Sequence, residues 1–209
     1  MMMDSSKSDY RDRIDKIKKF IEPIYPKLPY HNSGHAFEVW KLVHDYGIKA
    51  GIPYQDRLSL EIAALFHDII VVPGKTDNEE NSADLADSYL NRNKFHHYIP
   101  DNVRGLILAT KVPTSPKSLL EKIICDSDVD NFGRDDFFEK GEKVRQEIEM
   151  TGKTFNDIDW YKTSLSLLQN HQYYTSLARE KRDAGKMENI RELNRIIEEY
   201  NVSSRMVSD

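Results

Sequence analysis

The segment Leu58-Ser-Leu-Glu-Ile-Ala-Ala-Leu-Phe-His-Asp68 runs straight into Ile69-Ile-Val-Val-Pro-Gly74. Its apolar residues recur at steps of three and four, the mark of a helix with a buried stripe. His67 lies three residues after Ala64 and seven after Leu60, which places it on that stripe. In mid-helix the next residue, Asp68, would point about 100° away. Both side chains reach one point only if the helix stops there, and Pro73-Gly74 signals that it does. The small pair Ala63-Ala64 lets another helix approach closely. An acid at the end of so apolar a helix needs a partner, because an unpaired buried carboxylate is costly.

The same spacing extends in both directions, and two-residue alternation is scarce. It predicts helices over about 9–24, 33–50, 54–68, 79–93, 100–111, 118–128, 134–150, 156–172 and 176–200. Pro23, Pro26, Gly51, Pro53, Pro113, Pro116 and Gly152 punctuate them. The expected fold class is all-α, with a single domain over 1–201 and a disordered tail over 202–209. The last helix, rich in Arg, Lys and Glu, reads as a solvated outer helix.

Composition narrows the class further. With 209 residues, 39% of them hydrophobic, the chain can bury a full core. One cysteine, Cys125, excludes an intramolecular disulfide. A net charge of −5 argues against a nucleic-acid polymer as partner. The apolar runs are too short to span a membrane, and the charged opening Met1–Arg13 does not suit a secretory leader. A cytoplasmic location is expected; the oligomeric state is not legible.

Beyond His67 and Asp68, two stretches carry candidate chemistry. In Pro29-Tyr-His-Asn-Ser-Gly-His35, proline keeps Tyr30 out of a helix, so His31 falls in a loop. His35 heads an inward stripe with Val39, Leu42 and Tyr46. In Cys125-Asp-Ser-Asp128, Asp128 follows Leu120 and Ile124 at steps of four, while Asp126 follows Ile123 by three; either can face inward. Acids at a helix C-terminus oppose its dipole, so a positive group should stand near them. His35, His67, Asp68 and Asp128 together make two nitrogens and two carboxylates, a set suited to divalent Mn, Fe, Co, Zn or, less well, Mg. Water on such an ion is acidified, and His31 could protonate a leaving oxygen. Lys111 and Arg134 are candidate phosphate clamps, with Asn32 and Thr110 beside the same elements, and Lys75 reads as a surface base. Lys111 is also a candidate to compensate the aspartates, and Glu79 or Glu80 to orient water or favour a helix start. His44, His96 and His97 read as structural or exposed, and His171 as packing. Tyr25, Tyr98, Trp160 and Tyr173 could line a pocket for a base.

These features, in this order, resemble the HD superfamily of metal-dependent phosphohydrolases. Tyr30-His-Asn-Ser-Gly-His35 and Leu108-Ala-Thr-Lys111 are similar to elements of its cyclic-nucleotide phosphodiesterase branch. Ala109-Thr-Lys111, Cys125-Asp-Ser-Asp128 and Gly133-Arg134 resemble a group of small bacterial HD proteins. The resemblance covers about Tyr30 to His171. It implies an HD-domain helical bundle with additional C-terminal helices. It also implies His35, His67, Asp68 and Asp128 as ligands of one divalent ion, Asp68 as the bridge if a second ion binds, and His31 as proton donor. The activity implied is hydrolysis of a phosphate ester on a small nucleotide, such as a cyclic phosphodiester. Nucleotide phosphomonoester hydrolysis, or a non-catalytic module binding a nucleotide or protein, are the alternatives.

Overall fold

The computed structural model describes residues 5–95 and 98–206, so His96, His97 and the last three residues of the expected tail lie outside the described residues, and the Tyr98 side chain is likewise not described. Among the described residues nine α-helices and one 3₁₀ turn are found, and no strand. They are α1 (Ser5–Ile21), α2 (Ser33–Lys49), α3 (Tyr54–Phe66), α4 (Asn78–Arg92), α5 (Tyr98–Ala109) and α6 (Leu119–Asp128). A 3₁₀ turn (Asp130–Gly133) follows, then α7 (Phe137–Glu149), α8 (Asp157–Asn170) and α9 (Ser176–Met206). The helices gather in two compact units, Met1–Asp128 and Val129–Asp209, a division that falls inside the stretch read from sequence as one domain.

In the first unit α3 is the central element, packing against α1, α2, α4, α5 and α6. Every residue from Leu58 to Phe66 is buried. Each large aliphatic side chain there contributes about 1.5–3 kcal/mol through loss of apolar surface to water. The one charge in this run, Glu61, is held by Trp40 Nε1 at 2.9 Å, His44 Nδ1 at 2.7 Å and the Tyr10 hydroxyl. That cage joins α1, α2 and α3 and gives His44 the structural role expected of it. Ala63 and Ala64 have no exposure, which is what close approach to α3 requires.

In the second unit Phe137, Leu168 and Leu193 form the core, with Phe132, Phe138, Tyr161, Leu165 and Ile190 packed on it. Here α9 departs from the outer helix expected. One face is buried: Leu193 has no exposure, and Asn189 donates to the Phe132 and Arg134 carbonyls, both at 3.0 Å. Arg182 grips both oxygens of Asp130 at 2.7 Å. The 3₁₀ turn meets α9 backbone to backbone: a Cβ on Gly133 would stand 2.3 Å from the Arg182 carbonyl oxygen, and one on Gly185 2.3 Å from that of Gly133. Arg134 leaves the turn in extended backbone, at φ −112° and ψ 160°, so helix α7 begins at Phe137 and not at 134 as expected. At the other end α9 continues through Val202 to Met206, where a disordered tail was expected.

Candidate metal centre

Three helix ends of the first unit converge on one point. Asn32 caps α2: its side-chain oxygen accepts from the backbone N–H groups of Gly34 at 2.9 Å and His35 at 3.3 Å, while its amide donates to the Leu28 and Pro29 carbonyls. The cap fixes the first turn, from which His35 points inward, buried and stacked on the Tyr30 ring at 4.6 Å. Helix α3 stops at Phe66 with His67 as its C-cap, and Ile69 N–H turns back to the Phe66 carbonyl at 3.1 Å. The helix thus ends where His67 and Asp68 need it to, two residues before the expected limit. Asp128 closes α6.

The result is a compact group: one ligating atom from each of His35, His67, Asp68 and Asp128 lies within 4.8 Å of the others. His35 Nε2 stands 2.9 Å from Asp128 Oδ1 and 3.5 Å from Asp68 Oδ2. His67 Nε2 stands 3.0 Å from Asp68 Oδ2 and 3.3 Å from Asp128 Oδ1. His31, partly exposed, has Nε2 3.9 Å from Asp68 Oδ2. Of the two aspartates weighed in α6, Asp128 joins this group; Asp126 is buried outside it.

The nitrogen of His67 tests whether a cation fits. Nδ1 lies 2.9 Å from the Ala64 carbonyl, an acceptor, so Nδ1 donates there and Nε2 is the atom turned toward the carboxylates. Nε2 is buried and makes no hydrogen bond in the structure, although two carboxylates flank it. Beside two carboxylates this nitrogen needs positive charge, carried by a proton or by a bound cation. Burial opposes charge on His67, yet the Asp68 and Asp128 carboxylates outweigh it and raise its pKa well above the ordinary histidine value. Burial likewise works against both carboxylates, but the imidazoles, His67 first, hold Asp68 and Asp128 below the usual carboxylate range. The cluster therefore demands positive charge. Two carboxylates and two neutral imidazoles balance a divalent ion, and this donor set suits one.

The remaining candidates have partners of their own. The Asn32 side chain is engaged in the cap. The Thr110 hydroxyl is buried and donates to the Ile107 carbonyl at 2.8 Å. Lys111 pairs with Glu80 at 2.5 Å, and the side chains beside Asp128 are the imidazoles of His35 and His67. Arg134 belongs to the second unit and grips Asp136 at 2.8 and 2.5 Å. His171 packs edge-on against Phe132 and Tyr173, at 5.0 and 4.6 Å between ring centres. Tyr25 is the neighbour that sequence reading placed least well. Its hydroxyl donates to the Leu65 carbonyl at 3.1 Å, one turn before Asp68, and burial with the Asp68 charge pushes its pKa well up. Nothing in the local pattern links position 25 to position 65.

Residues 32–131 match the family model of the HD domain. All four members of the cluster lie inside the match. The fold is similar to that of YpgQ from Bacillus subtilis, solved in complex with ADP: the TM-score is 0.63 at 20% identity, over 88% of this chain and 97% of that one. No curated protein matches the sequence. No helix among the described residues is long and apolar enough to cross a membrane.

Proposed function

We propose that the chain hydrolyses a phosphate ester of a small nucleotide, with a divalent ion held by His35, His67, Asp68 and Asp128. The observation that carries this reading is the buried Nε2 of His67, without a hydrogen bond and facing two carboxylates. A divalent ion there supplies Lewis acidity, lowering the pKa of water and offsetting phosphate charge. His67 and His35 orient that ion, and their own orientation is set by the Ala64 carbonyl and by the Asn32 cap. His31, 30% exposed at its side chain and 3.9 Å from Asp68, is the group placed to hand a proton to the departing oxygen. Lys111, half-exposed and balanced by Glu80, is the nearest thing to a phosphate clamp in this unit. The Tyr30-His-Asn-Ser-Gly-His35 element favours a cyclic phosphodiester, with a nucleotide phosphomonoester second. A nucleotide-sized ligand also agrees with the ADP bound to the similar fold of YpgQ. A cytoplasmic setting belongs to the same proposal.

The test is turnover by the purified chain with Mn²⁺ on cyclic AMP, cyclic GMP, nucleoside mono- and triphosphates and an aryl phosphate. Metal-dependent release of product is expected on at least one. Asp68→Asn removes bound metal and activity together while the helical circular dichroism persists. His31→Gln keeps the metal but slows turnover about 10²–10⁴-fold. Nucleotide binding that survives Asp68→Asn, with no hydrolysis on any ester, would overturn the proposal in favour of a non-catalytic binding module.

A further inference from the structure

The second unit contains a cleft of about 220 Å³ between α7, α8 and α9. All its lining residues fall between 137 and 193, whereas the metal cluster belongs entirely to the first unit. Phe138 and Tyr161 form two inclined walls, their ring centres 6.5 Å apart and their planes at 67°. Two further lining side chains are polar and almost buried: Trp160 is 9% exposed and Ser164 8%. Neither makes a side-chain hydrogen bond among the described residues. Their polar atoms are nevertheless not among those sealed off without a partner, so both stay open to solvent and offer a ligand in the cleft two free polar groups. The indole N–H lies next to Gly141, where a Cβ would stand 4.0 Å from Nε1; the absence of a side chain leaves that N–H open to the cleft. Glu142 is the charged residue of the lining, with its side chain 51% exposed and 3.6 Å from Arg145.

We infer that this cleft binds a small, flat heteroaromatic molecule that turns an acceptor atom toward Trp160 and Ser164 and an amino group toward Glu142. Size sets the first condition. Pockets for drug-sized ligands run about 300–1,000 Å³, so this one takes one ring or two fused rings. Aromatic walls set the second, since a flat ring packs against them in stacked or edge-on geometry. The polar groups set the third. Indole is a donor only, so the inner edge of the ligand must accept. The carboxylate of Glu142 only accepts, so the outer edge must donate. A purely cationic occupant such as a tetraalkylammonium meets the first two conditions and fails the third, because it would place positive charge against the positive rim of the indole.

Adenine carries this pattern and serves as the probe. The chain has two tryptophans, so its ¹H–¹⁵N spectrum contains two indole signals, assigned with Trp160→Phe. Titration of the full chain with adenine should move the Trp160 signal saturably and leave that of Trp40 in place. The movement should persist in Asp68→Asn, which separates this site from the metal centre. Ser164→Ala should weaken binding about fivefold, the worth of one hydrogen bond. Purine, lacking the amino group, should be weaker by a similar factor. Gly141→Leu should abolish binding by filling the cleft; if that variant does not fold, Ser164→Ala decides. An unmoved Trp160 signal at the solubility limit of adenine overturns the inference. So do unchanged affinity in Ser164→Ala, or equal movement by tetramethylammonium.

Discussion

The thiol of Cys125 donates to the Ala109 carbonyl at 3.1 Å and is buried. Burial, reinforced by the charges of Asp128, Asp126 and Glu121, pushes its pKa up to about 12. Only the thiolate reacts, so at pH 8 a disulfide reagent should label the native chain at least about 10³-fold more slowly than a free cysteine. Full labelling should follow unfolding in guanidinium; rapid labelling of the native chain would contradict the packing described. His171 shifts the other way. Burial first, then the Lys186 ammonium, lowers it to about 4. The folded chain therefore keeps it neutral where the unfolded chain, near 6.5, takes a proton. Its contribution is complete above pH 6.5 and is lost as pH falls toward 4, at up to about 1.4 kcal/mol per pH unit. Denaturation midpoints at pH 7.5 and 5 should differ, and His171→Gln should narrow the difference. At this scale the clustering of His35 and His67 was legible in the sequence, because periodicity aims both inward without help from tertiary structure, whereas it left Asp126 and Asp128 as equal choices. Asn32 and Lys111 were less so: a polar residue beside a motif looks the same whether it touches a ligand, a backbone N–H or a neighbouring carboxylate.

Among the elements, the start of α2 deserves a direct test because one side chain settles both stability and geometry. Asn32→Ala removes the acceptor for two backbone N–H groups, and should cost about 1 kcal/mol while weakening Mn²⁺ binding, because His35 sits in the turn that frays. Asn32→Asp, which keeps the cap, should restore both; calorimetric titration and urea melts measure the pair. Helix α3 was read nearly to the residue, since an apolar run ended by Pro73-Gly74 has few other solutions. Helix α9 was not. Its dense charges mask a narrow buried face, and what that face meets is a 3₁₀ turn some fifty residues earlier, reached through Gly133 and Gly185. Contacts of backbone on backbone leave no hydrophobic signature to read.

On the scale of the whole molecule, the clustered side chains at positions 35, 67, 68 and 128 come from distant parts of the chain but from one compact unit. An ion that binds the folded state alone stabilises it by mass action, about 2.7 kcal/mol at a hundredfold excess over Kd. Addition of Mn²⁺ should raise Tm and chelation should lower it, with Asp68→Asn insensitive to both; equal shifts in that variant would place the ion elsewhere. No composition change marks residue 128 as the end of a unit, because the division follows how the helices pack and not how the chain is punctuated.

The two tryptophans divide evenly, Trp40 in the first unit and Trp160 in the second. Each unit thus carries its own fluorophore, one bonded to Glu61 in its cage and the other in an aromatic cleft. Emission from Trp40→Phe and Trp160→Phe chains can follow each half separately through a denaturation, and so show by light alone whether they come apart together or in turn.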